Sequence, residues 1–182
     1  MKDITLNKPE LLDKNKHDRK GFSCGIKKLD VFLKEQARKE SPELSRTFVL
    51  TGKENPGKIL GFYSLSATKI RLDDLPQSIQ KKLGHYGALP ATLLGRLAVD
   101  AEFQGCGLRL GEILLIDAEL RSWKASQSVA SFALVVDVLV GEKGDPTKFY
   151  ENYGFIKCVQ TDNLLYLPMK TIEQSLKKSG LI

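Results

Sequence analysis

The chain has 182 residues, 42% apolar and 27% charged, which excludes a fibrous repeat or a disordered tract and suffices for the core of one domain. Its three scattered cysteines (Cys24, Cys106 and Cys158) have no CxxC pairing and only two histidines accompany them, so neither a disulfide framework nor a structural zinc site is expected. The formal charge of +6 at pH 7 favours an anionic partner, with nucleic acid a natural candidate.

Segment 1–20 is polar and charged, with no apolar stretch of the kind a signal peptide needs. No later run is long enough to cross a bilayer, so a cytoplasmic protein is expected. Ile4 to Leu6 reads as a short opening strand, and Asp13 to Lys20 as an exposed connection. From Ile26, residues Leu29, Phe32, Leu33 and Ala37 recur at spacings of three and four, which predicts an amphipathic helix ending before Pro42. Arg46 to Thr51 and Ile59 to Ala67 are rich in β-branched and aromatic residues and flank Asn55, Pro56 and Gly57, the pattern of an antiparallel pair. Leu72 to Leu83 reads as a loop with a short helix, and Gly84 to Pro90 as irregular chain.

The second half is more informative. Thr92 to Val99 (TLLGRLAV) reads as a strand, DAEFQGCG as a turn, and Leu108 to Lys124 as a long helix. That helix carries apolar Leu110, Ile113, Leu114 and Ala118, with Asp117 and Arg121 at an i,i+4 spacing. Phe132 to Val138 is a continuous apolar strand, as expected for burial on both faces beside a crossover helix, and it completes a βαβ unit. Asp145 and Pro146 open a short helix that Gly154 closes. Ile156 to Val159 and Leu164 to Leu167 form a closing hairpin, and the last dozen residues form a short helix or fray.

Chemistry concentrates in Gln104-Gly105-Cys106-Gly107-Leu108-Arg109-Leu110-Gly111. This segment joins a strand to a helix start, where backbone N–H groups lack intrahelical acceptors. Glycines let a phosphate approach the backbone closely, and the helix dipole adds roughly half a positive charge at that end. Gln104 and Arg109 offer side-chain donors as well. A Walker loop is excluded because no Gly-Lys-Ser/Thr follows, and a dinucleotide fingerprint because Leu110 stands where glycine is required. Taken alone, the glycines also suit a plain tight turn.

The Q-x-x-G arrangement after a strand reading GRLAVD resembles the pyrophosphate loop of the GNAT acetyltransferases. Lys148 to Phe155 (KFYENYGF) resembles the same family's FYxxxGF signature. The likeness extends through Phe22-Ser23-Cys24-Gly25, Leu29-Asp30, Phe32-Leu33 and Ser45-Arg46-Thr47-Phe48-Val49, and from Gly21 to Met169 the chain resembles the GNAT toxins of bacterial toxin-antitoxin pairs. The loop departs from the family pattern at Arg109, where glycine or alanine is usual.

The resemblance implies an α+β GNAT fold over a single domain, 1–182, with a C-terminal tail from 170 to 182. Its central sheet is mixed, mostly antiparallel, with six to seven strands flanked by helices around a βαβ acyl-CoA-binding unit. It also implies an N-acetyltransferase that moves acetyl from acetyl-CoA, without a metal, to the α-amine of aminoacyl-tRNA and so blocks translation. The implied partners are a ribbon-helix-helix antitoxin and a second copy of the chain in a homodimer. Cofactor contacts fall to Leu97, Ala98, Val99, Gln104, Gly105, Cys106, Gly107, Leu108, Arg109, Leu110, Gly111 and Phe149, with Cys106 contributing its backbone. Arg46 and Arg96 match family positions close to the active-site strands, where each suits either a contact to RNA phosphate or a salt bridge.

An α-amine has a pKa of about 7.7 to 8.0, against about 10.4 for lysine, so such an acceptor needs no strongly basic side chain beside it. The departing thiolate does benefit from a proton, and Tyr150, from the FYxxxGF motif, is the expected donor. Two other readings stay open on the sequence. One is a GNAT enzyme acting on a small amine or a protein N-terminus; the other is a catalytically silent acyl-CoA-binding or DNA-binding module.

Overall fold

The computed structural model describes residues 4–37, 39–141 and 144–182. Residues 1–3 of the polar opening segment and position 38 of the first expected helix lie outside them. The strands are β1 (Glu10–Leu11), β2 (Arg46–Thr51), β3 (Ile59–Arg71), β4 (Ala88–Val99), β5 (Ala133–Asp137), β6 (Ile156–Lys157) and β7 (Leu164–Pro168). The helices are α1 (Lys27–Val31), α2 (Gln77–Leu83), α3 (Leu110–Ser126), α4 (Thr147–Asn152) and α5 (Met169–Lys178). The seven strands hydrogen-bond in the order β1-β2-β3-β4-β5-β7-β6. Pairing is antiparallel in β1–β2, β2–β3, β5–β7 and β6–β7 and parallel in β4–β5, the mixed, mostly antiparallel α+β sheet that the sequence implies.

The chain forms two compact units, Met1–Ser66 with Gly95–Ala118, and Ala67–Leu94 with Glu119–Ile182. In the first, strand alternation sorts side chains onto two faces. Val49 and Phe62, directly paired, join Phe22, Cys24, Phe32, Leu33, Ile59 and Ala98 in one core. Phe22 meets Phe62 edge-on at 5.4 Å, and Phe32 stacks on Phe62 at 6.0 Å. On the other face Phe48 stacks on its cross-strand partner Tyr63 at 5.1 Å. There α3 lies so close that a Cβ on Gly61 would stand 2.7 Å from Leu114 Cδ1 and 2.9 Å from the Ala98 carbonyl oxygen.

In the second unit Ile70, Leu75, Leu89, Ala91, Ala133, Val135 and Tyr166 form the core. Residues 133–136 of β5 are all buried, as their unbroken apolarity predicts. The C-terminal segment is a ten-residue helix, α5, that seats Met169, Ile172 and Leu176 in the interior.

Several local expectations are corrected. Position 6 makes only an isolated bridge to Gly52, and the first strand is Glu10–Leu11. Within the supposedly exposed Asp13 to Lys20, His17 is buried and its Nδ1 accepts the Asp13 N–H at 2.9 Å. The third strand runs on to Arg71 and the fourth begins at Ala88, so Gly84 to Pro90 is irregular only in its first half. The helix after Ile26 is α-helical only to Val31; Phe32–Gln36 is a π-helix, closed by Ala37 N–H to the Phe32 carbonyl at 2.8 Å.

Candidate active site

The turn that follows Val99 is built in layers. Asp100 takes the Glu102 N–H on Oδ1 at 3.0 Å and so caps a 3-10 turn, Ala101–Phe103. Its Oδ2 accepts the Ser23 N–H at 3.0 Å, while Ala101 N–H returns to the Ser23 carbonyl at 2.8 Å. Asp30 takes the Cys24 N–H at 2.8 Å and the Ser23 hydroxyl at 3.0 Å. Phe22-Ser23-Cys24-Gly25 and Leu29-Asp30, remote in sequence from the turn, are thus its foundation.

Gln104 is the tie. Its Nε2 donates to the Val99 carbonyl at 2.8 Å and to the Cys24 carbonyl at 3.0 Å, which uses both amide protons. The expectation of a side-chain donor aimed at phosphate is corrected here: Gln104 shapes the loop through protein contacts.

Beyond it the backbone turns left-handed three times, at Gly105 (φ 69°), Gly107 (φ 85°) and Arg109 (φ 52°). A Cβ on either glycine would meet nothing within 4 Å, so these glycines serve conformation and leave the approach to the backbone open. Among the described residues no protein acceptor takes the N–H groups of Gly105, Cys106, Gly107, Leu108, Leu110 or Gly111. Amides without protein acceptors at a left-handed turn before a 17-residue helix make a concavity of the kind that binds anions.

Arg109 places a side chain in the left-handed region, which ordinarily favours glycine. Its Nε pairs with Glu112 at 2.5 Å, on a largely exposed side chain. Cys106 donates its thiol to the Phe103 carbonyl at 2.9 Å, a structural use. Helix α3 is pinned under the sheet by Tyr63, whose hydroxyl donates to Asp117 at 2.5 Å. Asp117, partly buried, thus bonds a residue of another element, which its i,i+4 spacing to Arg121 did not reveal.

The two arginines assigned to RNA stand in the same unit. Arg46 is exposed at the start of β2, opposite Leu65. Arg96 is half-buried, with its guanidinium carbon 3.5 Å from the centroid of the Phe32 ring. Burial lowers its proton affinity, and the charge of Glu40 acts the other way.

Tyr150 belongs to the second unit. Asp145 Oδ1 accepts the Thr147 N–H at 2.8 Å and opens α4, and Gly154, at φ 90°, ends the turn beyond it. Tyr150 is 6% exposed, edge-on to Phe149 at 5.1 Å and to Phe155 at 5.4 Å. Burial pushes its phenol up to about 12, so it stays protonated at any ordinary pH.

Sequence reasoning missed Glu40, one of whose carboxylate oxygens is buried without a partner, and Arg19, whose Nη1 donates to the Lys34 carbonyl inside the π-helix at 2.9 Å. It also missed Glu119, a buried carboxyl on α3 that desolvation pushes up to about 7. Nothing in the local pattern marks any of these. Among the described residues no cluster of His, Cys, Asp or Glu is placed to hold a metal, and no helix is long and apolar enough to cross a membrane.

No protein-family model matches the chain. It is 30% identical over 168 residues to the probable toxin TacT of Sinorhizobium fredii, covering 90% of this chain and 91% of the relative. With the tRNA-acetylating toxin of Mycobacterium tuberculosis it shares 34% identity over 155 residues, 84% and 87% of the two chains. Among solved structures, a tyrosine-to-phenylalanine variant of KacT superposes with a TM-score of 0.83 at 35% identity, over 94% of this chain and 99% of the other. AtaT complexed with acetyl-methionyl-tRNAfMet gives a TM-score of 0.81 at 32% identity, over 96% and 99%. A variant of AtaT bound to the C-terminus of the antitoxin AtaR and to acetyl-CoA gives 0.74 at 29% identity, over 94% and 98%.

Proposed function

This chain belongs to the GNAT toxins of bacterial toxin-antitoxin systems, and from that premise we propose that it transfers acetyl from acetyl-CoA to the α-amine of aminoacyl-tRNA. The observation that carries the reading is the set of amides at Gly105, Cys106, Gly107, Leu108, Leu110 and Gly111 that no protein acceptor takes among the described residues, beside two left-handed glycines with nothing within 4 Å of where a Cβ would stand. Acetyl-CoA supplies the activated thioester. The diphosphate is held by the backbone N–H groups of Gly105, Cys106, Gly107, Leu108, Leu110 and Gly111. Arg109 adds its charge, and Gln104 keeps the loop in shape. Backbone groups of Leu97, Ala98 and Val99 serve the amide-bearing arm, and an N–H there polarises the thioester carbonyl. Phe149 packs against the cofactor.

The acceptor arrives with an amine of low pKa, so a fraction is already neutral and attacks without a dedicated base. The C–S bond breaks as the C–N bond forms, Tyr150 protonates the departing thiolate, and the proton the nitrogen gives up to water is balanced by the one the phenolate takes back from water. Arg46 and Arg96 meet RNA phosphate. A ribbon-helix-helix antitoxin restrains the toxin, two copies associate, and the protein acts in the cytoplasm, where its substrate is.

Labelled acetyl-CoA with purified protein tests this. Label is expected on charged tRNA, and not on uncharged tRNA, polyamines or peptides. Transfer to a polyamine or peptide instead of charged tRNA, or tight acetyl-CoA binding with no transfer at all, overturns it.

A further inference from the structure

Glu40 and Arg96, opposite charges in the first unit that act on one another, both keep hydrogen-bonding capacity unmet among the described residues. Glu40 has a carboxylate oxygen sealed from solvent with no hydrogen-bond donor among the described residues, a costly state unless a donor arrives from elsewhere. Arg96 carries five N–H donors, and none is given to a protein acceptor or an ion pair among the described residues. Each is rigidly mounted. Arg96 lies over Phe32, which is itself fixed against Phe62. Glu40 is tied by its backbone N–H to the carbonyl of Gln36, the last residue of the π-helix, at 3.0 Å. π-Helical turns are rare and concentrate at functional sites, and this one has a carbonyl covered from outside by Arg19.

We propose that Glu40 and Arg96 form the subsite for the 3′-terminal aminoacyl nucleotide, Glu40 accepting an N–H of the α-amine and Arg96 donating to the 5′-phosphate. The proposal rests on the acceptor assigned above and adds which end of it each charge reads. The 3′-terminal aminoacyl nucleotide is a dipole in the same sense as the pair: a basic amine at one end and a phosphate at the other. An arginine stacked on an aromatic ring keeps its fork of donors free for phosphate while its flat face is engaged. Glu40 orients the amine as positive charge grows on nitrogen during attack. No new bond is made or broken by either residue.

Two stable probes decide it: a 3′-aminoacylamino nucleoside with a 5′-phosphate and the same compound without. The wild-type protein, saturated with acetyl-CoA, is expected to prefer the phosphorylated probe by about tenfold in kcat/KM. Arg96→Ala abolishes that preference, while Arg96→Lys keeps part of it. Glu40→Gln raises KM about tenfold for both probes with kcat within about threefold. No phosphate preference in the wild type, equal losses on both probes in Arg96→Ala, or an unchanged KM in Glu40→Gln overturns the proposal. A wild-type protein that acetylates neither probe nor charged tRNA instead refutes the acceptor assignment itself.

Discussion

Gln104 donates one amide proton to the carbonyl of Val99, five residues behind it, and the other to the carbonyl of Cys24, 80 residues away. The loop that carries the candidate diphosphate site is therefore fastened to both the strand it leaves and a segment near the N-terminus. Gln104→Ala removes a donor from each of the two carbonyls and is expected to cost about 1–2 kcal/mol of stability, with acetyl-CoA affinity falling about tenfold. Gln104→Glu sets a carboxylate against two carbonyl oxygens and should be worse on both counts. Denaturant midpoints and calorimetric titration with acetyl-CoA check this.

Two glycines should respond oppositely to the same change. Gly107→Ala adds a methyl group in open space, so its folding penalty is only that of a left-handed backbone, about 1–2 kcal/mol, but the methyl intrudes on the proposed diphosphate site. Gly61→Ala drives a Cβ to 2.7 Å from Leu114 and 2.9 Å from a carbonyl oxygen, and overpacking there should cost about 2–3 kcal/mol. Gly107→Ala is expected to lose acetyl-CoA binding while folding well. Gly61→Ala is expected to lower the thermal midpoint first.

Arg109→Gly removes a left-handed side chain and gives up an exposed ion pair with Glu112 of small worth. A net gain of about 0.5–1 kcal/mol in stability is expected, and a loss for β-branched Arg109→Val. Equilibrium unfolding of the two variants reads the difference directly.

Tyr150→Phe should lower kcat by orders of magnitude while leaving acetyl-CoA affinity almost unchanged. Burial raises the phenol to about 12, so its donor form is complete below that and is lost only as pH rises through it. The rate should accordingly climb as the acceptor amine loses its proton and then hold level to about pH 10. Equal losses of binding and turnover in the variant, or a falling limb near pH 8, would assign Tyr150 a packing role.

Glu119 is buried on α3, and desolvation raises its carboxyl from 4.5 to about 7. The folded state thus holds this proton more tightly than the unfolded state does. Its contribution is full below about pH 4.5 and is lost as pH rises through about 7. Glu119→Gln should stabilise the protein by on the order of 2 kcal/mol at pH 8 and flatten the decline between pH 5 and 8, as unfolding across that range would show.

The site was legible in part. Strand, glycine turn, helix and strand from Thr92 to Val138 were readable because apolar spacing reports directly on which face of an element is buried. Tyr150 could be placed in a short helix because Asp145 and Gly154 mark its two ends chemically. Gln104 was found but its role was not, because a side-chain amide suits a phosphate as well as a carbonyl. The π-helix was hidden as well: Leu29, Phe32, Leu33 and Ala37 face the core in either winding, so their periodicity cannot distinguish them.

What the sequence determined by itself is local: the order of elements, the left-handed glycines of the loop and the capped helix bearing Tyr150. These follow from interactions within a few residues, where backbone sterics and capping dominate. Only the tertiary structure decided where polar side chains spend their hydrogen bonds, tying Gln104 to Cys24 and Tyr63 to Asp117 and leaving Glu40 with an oxygen unmet. Such partners are fixed by which distant backbone packs alongside, and burial, which sets the protonation of Tyr150 and Glu119, is a property of the assembled core and not of any stretch of chain.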